Sequence, residues 1–416
     1  MLQTCYSYQL FKYCDTMRVT IWISLCFLIV LGVVQSNDLE LDGEAFSRNL
    51  IKHLFTNEWM PRYVELGKPN VLVSPFSLKA ILMTILDGAS GESLMELARV
   101  LGFEKYPLSI DDFSQGYNRR ADDSFKSGAR LHSANKIFIS NTNPPNPNYV
   151  EKVRNWYKTE TQTVNFAESK RTENLINQWV EQQTNHRITR LVTDSDFDRS
   201  TTSILASTLY FSGRWHGGSF SRVANTFYLF GDVGVNKTML YDYREARYKR
   251  SKKLSADILE LTFDGEDDVS MLFFLPNQRN GLAALQKAIA KQSDVLWSIK
   301  LPKSQQMAVV IPEFNIESSL NLRELLSKMG VKRIFEPNAQ LDRISPGVHI
   351  ENVLQKLYIN VTADGVEAAA ASGAEIKLYV LPEHRFEANH PFVFSIRMGP
   401  NNDLLFSGVY SGTDSK

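Results

Sequence analysis

The chain has 416 residues, of which 43% are hydrophobic and 22% charged, with a formal net charge of +0. That length and apolarity support a sizeable core and exclude an intrinsically disordered chain. The charge balance gives no overall attraction for nucleic acid or an anionic membrane.

The first element is an almost unbroken apolar run, Val19 to Val34, with Arg18 before it and small residues at Val34 and Ser36 before polar NDLELDGE. The run falls short of the ~18–20 apolar residues of a span, so residues 1–36 are expected to be a cleaved secretory signal, with Met17 as an alternative start. The competing reading is an uncleaved anchor. Cys5, Cys14 and Cys26 all lie in this segment. A secreted body from residue 37 would therefore carry no disulfide and no cysteine–metal chemistry.

Phe46, Leu50, Ile51 and Leu54 fall at helical spacing. Val71 to Val73 predicts a short strand. Ser74 then caps a helix that starts at Pro75 and ends at Asp87-Gly88, and DGASGES reads as a turn between helices. KIFIS, Lys136 to Ser140, predicts a strand before the turn-rich NTNPPNPN. ENLINQWVEQQTNH predicts a helix with Leu175 and Trp179 four apart. Ser203 to Ser212 is a strand, DILELTF and VSMLFFLPN form a hairpin, and SSLNLRELLSKMG is a capped helix. The last fifth alternates strands and loops. No linker-like stretch divides these elements, so residues 37–416 are expected to form one α+β domain.

Catalytic signatures are lacking. The seven histidines show no HExxH or paired ligand spacing, and neither GxxxxGK[ST] nor GxSxG occurs. No enzyme, metal or cofactor is expected. One basic run, REARYKRSKK, carries Arg244, Arg247, Lys249, Arg250, Lys252 and Lys253 against Glu245. It suits a heparin-like polyanion or is simply a solvated turn between strands. A second cluster, Arg119, Arg120, Lys126 and Arg130, is interrupted by Asp122 and Asp123. Sequons occur at Asn236 and Asn360. Asn236 lies in a polar turn and is the better acceptor, whereas Asn360 sits on a strand among Leu357, Ile359 and Val361.

Near the C-terminus stands ADGVEAAAASGAEIKLYV, Ala363 to Val380, between strand-like KLYINV and HPFVFSIR. Its alanines favour helix by intrinsic propensity. As a strand, however, one face would present Val366, Ala368, Ala370, Ser372, Ala374, Ile376 and Leu378, all uncharged. The other would carry Glu367, Glu375 and Lys377. The first face could be buried without stranding an ion.

NVLVSPFSLKAILMTILDGASGESLMELARVLGF, LYFSGRW, TMLYDY, GVEAAAASG, FEANHPFVFSIR and LLFSGVYSG, in that order, resemble the serpin family over nearly the whole chain after residue 36. The resemblance implies an α+β serpin fold: a large central sheet, two further sheets, about nine helices and an exposed reactive loop, in a monomer. It also implies a mechanism. A serine protease cleaves the loop and forms an acyl-enzyme, and the loop inserts into the central sheet as a new strand, trapping the protease covalently. The hydrolytic machinery belongs to the target.

The hinge would be Gly365, Val366, Glu367, Ala368, Ala369, Ala370, Ala371, Ser372 and Gly373. The family's spacing from Glu367 places the scissile bond at Tyr379–Val380, with Lys377 and then Leu378 as alternatives. An aromatic there favours chymotrypsin-like targets. Ser74, Ser77, Ser207, Gln355 and Trp215 would occupy the region where the sheet opens. Four positions depart from the family pattern: Ala363 replaces an acidic residue, Val366 a threonine or serine, Ser207 an asparagine and Gln355 a histidine. A Ser207–Gln355 pair would either substitute for the usual bridge or change sheet opening. Two functions follow: a secreted serine protease inhibitor, or a non-inhibitory binding or carrier protein whose loop is cleaved without trapping.

Overall fold

In the computed structural model, eight α-helices form among the described residues: α1 (44–54), α2 (Pro75–Gly88), α3 (Gly91–Leu101), α4 (Pro147–Tyr157), α5 (Ser169–Gln183), α6 (Leu282–Ala290), α7 (Val295–Ser298) and α8 (Arg323–Met329). The strands of the first half are β1 (Val71–Val73), β2 (Ala129–Ser140), β3 (Thr159–Val164), β4 (Ser203–Arg214), β5 (Ser221–Tyr228) and β6 (Gly234–Ser251). There follow β7 (Ala256–Thr262), β8 (Ser270–Pro276), β9 (Gln305–Pro312), β10 (Phe314–Asn321), β11 (Asn352–Thr362), β12 (Gly365–Val366), β13 (Arg385–Glu387), β14 (Phe392–Met398) and β15 (Asp403–Tyr410). The structure describes residues 44–56, 70–103, 129–184, 186–230, 233–265, 269–366, 384–399 and 403–414. The leader at 1–36, its cysteines, Arg119, Arg120, Lys126 and the stretch from Glu367 to Val380 lie outside them.

Two hydrogen-bonded sheets result. One has six strands in the order β10-β11-β12-β4-β2-β3. The other has nine, in the order β1-β15-β14-β8-β7-β6-β9-β13 with β5 on β6. The two smaller sheets implied by the resemblance are continuous here because β6 is 18 residues long. Its first part pairs with β5 and β9, and Arg247 to Ser251 pair with β7.

Helix α2 follows the sequence closely. Ser74 is its N-cap, with Ser77 N donating to Ser74 Oγ at 3.2 Å, and Pro75 opens it. Leu78, Ala80, Ile81, Leu82, Met83 and Ile85 are buried around its whole circumference, as suits a helix enclosed by protein. It packs behind the six-stranded sheet against Ile137, Ile139, Leu205 and Val353. Farther along the same face, Leu209, Phe211, Leu357, Ile359 and Val361 join the core of the nine-stranded sheet. The opposite face, with Phe138, Ile204, Ala206 and Leu354, is covered by Ile176, Trp179 and Val180 of α5. Both faces of the central strands are therefore dry.

Two local expectations need correction. In SSLNLRELLSKMG, Ser318 and Ser319 belong to β10, whose alternation puts Ser318 inside, and Asn321 Oδ1 receives the Arg323 N–H at 3.1 Å at the start of α8. The basic run is not a turn: Arg244 to Arg250 lie within β6, and only Lys252 and Lys253 occupy the turn into β7.

Candidate functional site

The site lies where β4 and β11 part company. These strands run parallel and pair directly from Asn352↔Ile204 to Tyr358↔Tyr210. Beyond Tyr358 a third strand stands between them. It is β12, the first two residues of the expected hinge. Val366 pairs with Val361 of β11 and Gly213 of β4, and Gly365 with Thr362 and Arg214, antiparallel on both sides. Val366 is fully buried on the Leu209–Ile359 face. Gly365 has φ +149°, and a Cβ there would sit 2.0 Å from the Gly213 carbonyl oxygen. Only glycine allows the chain to turn back this tightly between the strands.

The turn before β12 is gripped by the loop after β4. Trp215 Nε1 donates to Thr362 O at 3.0 Å, and Trp215 N to Asp364 O at 3.2 Å. Phe220 N donates to Ala363 O at 2.8 Å, and Ser219 Oγ to Asp364 Oδ1 at 2.6 Å. Trp215 is 1% exposed, stacked on Phe263 at 4.7 Å and edge-on to Phe220 at 5.9 Å. Ala363 is itself buried.

The sheet-opening residues come together, but not as a Ser207–Gln355 bridge. Ser207 and Gln355 are register partners on β4 and β11, yet the Gln355 amide turns to the start of α2. Its Oε1 accepts from Ser74 N at 3.1 Å, and its Nε2 donates to Ser74 O and to Ser77 Oγ, both at 2.9 Å. Gln355 is 0% exposed. Ser207 Oγ is buried without a hydrogen-bond partner among the described residues. Strand β11 is thus pinned to the helix behind it, while its contact with β4 at this level is main-chain pairing.

The basic run does not act as one patch. Arg244 is buried, paired to Asp242 at 2.8 Å, with its guanidinium 3.7 Å from the centre of the Phe220 ring. Burial pushes its pKa below the ordinary arginine value, against the pull of Asp242. Arg247 pairs with buried Glu260 at 3.2 Å, and Arg250 with Asp257 at 2.9 Å. Lys249 Nζ reaches Lys300 O at 3.3 Å from an exposed position, and Lys252 and Lys253 are exposed. Asn236 is exposed on β6 opposite Thr226 rather than in a turn, and Asn360 is half-buried opposite Asn315. Among the described residues no cluster of His, Cys, Asp or Glu could hold a metal ion. Sequence reasoning missed Ser219, Phe220 and Arg244 as parts of the hinge support, because nothing local marks a loop that touches residues about 145 positions away.

A two-residue strand set between parallel strands of a dry sheet fits the class that the comparisons show. The family model described as Serpin (serine protease inhibitor) matches residues 44–412, and the chain belongs to the serpin family. Its relatives include Antitrypsin of Bombyx mori, 27% identical over 87% of this chain and 94% of that one. Antichymotrypsin-2 of the same organism is 28% identical over 87% and 98%. The solved structure of Serpin48 from Tenebrio molitor superposes with a TM-score of 0.80 at 27% identity, covering 91% of this chain and 99% of that one. Thyroxine-binding globulin, at 20% identity and a TM-score of 0.78, shares the fold.

Proposed function

We propose that this protein is a secreted inhibitor of serine proteases that traps its target by loop cleavage and insertion, with chymotrypsin-like enzymes as preferred targets. The observation that carries the reading is β12 already seated between β11 and β4. Continuing its register sets Ala368, Ala370 and Ser372 opposite Ile359, Leu357 and Gln355 on β11, and opposite Phe211, Leu209 and Ser207 on β4. Those partners are all buried, and the small uncharged face would be the one turned inward. Glu367 would fall opposite Asn360 and Ser212, both part-exposed, where its charge stays hydrated. The names of the Bombyx relatives, an antitrypsin and an antichymotrypsin, are in keeping with inhibition. Tyr379–Val380 as the scissile bond supplies the chymotrypsin-like preference.

The test is incubation with chymotrypsin, elastase and trypsin, followed by denaturing electrophoresis. A complex that survives SDS, formed with chymotrypsin and cut after Tyr379, is expected. Cleavage without complex and without a rise in thermal stability would move the protein to the carrier reading. For polyanions the proposal narrows to Lys249, Lys252 and Lys253. Native protease nexin-1, solved with heparin, shares the fold at 23% identity.

A further inference from the structure

We infer that Arg244 is a positioning residue for the hinge: it locks the Trp215–Phe220 loop so that the turn before β12 acts as a fixed pivot during insertion. The inference rests on the inhibitor reading above and adds to it a residue that no motif of the reactive loop contains.

The loop that grips the turn has little rigidity of its own. Gly217 and Gly218 both take positive φ, +86° and +93°, and neither has an atom within 4 Å of where a Cβ would stand. Such a diglycine is the most freely moving backbone a chain can offer. His216 is tied to Thr262 O through its N–H at 2.9 Å and to Asp264 through its ring at 3.2 Å, and the diglycine beyond it is held from below by Arg244. Arg244 Nη2 donates to Gly218 O at 2.7 Å and Nη1 to His216 O at 3.3 Å, while Nε donates to Asp242 Oδ2 at 2.8 Å. The guanidinium plane also underlies Phe220. A planar fork suits two carbonyls and a carboxylate at once, and lysine could not reproduce it. The same loop sends its donors, Trp215 N, Trp215 Nε1, Phe220 N and Ser219 Oγ, to Thr362, Ala363 and Asp364. The chain of contact therefore runs from Arg244 through the two free carbonyls to the three residues on which the hinge turns.

A fixed pivot matters because insertion races deacylation of the acyl-enzyme. The entering strand must follow the register set by Val366↔Val361 and Val366↔Gly213. A slip of one residue would turn the charged face inward. Loosening the pivot should leave recognition of the bait untouched and shift the outcome from trapping toward release of cleaved protein. A merely structural role for Arg244 would lower stability without altering that partition.

The experiment has two arms on the full chain. In the first, Arg244→Ala is titrated against chymotrypsin, elastase and trypsin, reading the number of inhibitor molecules consumed per protease trapped and the association rate. The expected result is a rise in that number of about fivefold or more, the equivalent of losing one or two hydrogen bonds, at an unchanged association rate. In the second, hydrogen exchange without protease is followed over 215–220 and 362–366, and both segments should exchange faster together. An unchanged partition, or faster exchange confined to 215–220, overturns the inference. If the unmodified protein traps none of the three enzymes, the inhibitor reading falls, and the exchange arm alone decides whether Arg244 holds the pivot. Ser219→Ala, which removes only the bond to Asp364, is read in the same way if Arg244→Ala does not fold.

Discussion

Replacing Gln355 by methionine tests the support of the closed sheet directly. Methionine matches the length of glutamine and fills its space, so no cavity is added. What changes is hydrogen bonding at a site with no water access. Ser74 O still accepts from Leu78 N at 3.2 Å and stays satisfied. Ser74 N loses its acceptor at 3.1 Å, and Ser77 Oγ loses its donor at 2.9 Å. Both serines are fully buried. Two stranded polar groups at roughly 1–3 kcal/mol each give a destabilisation of about 2–6 kcal/mol. Urea unfolding of the uncleaved protein measures it, as a lower midpoint at unchanged slope. The same release of β11 from α2 should speed insertion, seen as a faster approach to the heat-stable form after loop cleavage. A midpoint shift equivalent to less than about 0.5 kcal/mol would refute the claim that Gln355 pins the sheet to the helix.

Ala370→Glu would set a carboxylate opposite Leu357 and Leu209 in the continued register, both 0% exposed. An SDS-resistant complex should give way to cleaved substrate, and retained trapping would contradict the inward face. Glu260 lies 3.2 Å from Arg247 and 2.6 Å from buried Arg397. Burial, the largest single influence, raises its pKa, but the Arg397 charge and hydrogen bond, with Ser270 and Arg247, outweigh it and hold it below the ordinary value. A lowered folded-state pKa contributes stability above the unfolded value of about 4.3 and loses it as pH falls through the folded value. Glu260→Gln should therefore destabilise at roughly neutral pH and differ progressively less from the unmodified protein in acid unfolding; a constant difference would exclude the linkage. Lys252→Ser with Lys253→Ser should elute from heparin at lower salt, each lost charge reducing the salt dependence, and unchanged elution would remove the turn from any polyanion site.

Much of the architecture could be read from local pattern. The 74–88 helix carries its own cap, proline and buried periphery, and Ser203 to Ser212 is a short, largely apolar run, as suits a strand buried on both faces. Of the expected hinge, Gly365 and Val366 lie in the sheet as β12, and Glu367 to Gly373 lie outside the described residues. What escaped is contact between distant segments. Arg244 looks like one more cation in REARYKRSKK, and only the carbonyls of His216 and Gly218 explain why it is buried. Gln355 could be placed at the opening of the sheet, but its amide reaches Ser74 and Ser77, some 280 positions away, rather than its register partner Ser207. The helix expected in SSLNLRELLSKMG starts only at Arg323, because its first residues pair with β11 as strand β10.

The missing methyl at Gly365 has a mechanical consequence. A sheet whose central pair is bonded end to end must break that seam all at once, or find a flaw at which to begin. Here the flaw is built in: the seam from Tyr358 to Asn352 ends at a notch already occupied by Val366. In the proposed insertion, opening would advance like a crack from its tip, one pair surrendered as one incoming residue bonds on both flanks. The barrier at each step is that of about one or two ladder bonds, roughly 1–3 kcal/mol, rather than that of the whole seam. Speed, on this view, is set at the notch and not by the length of sheet to be opened.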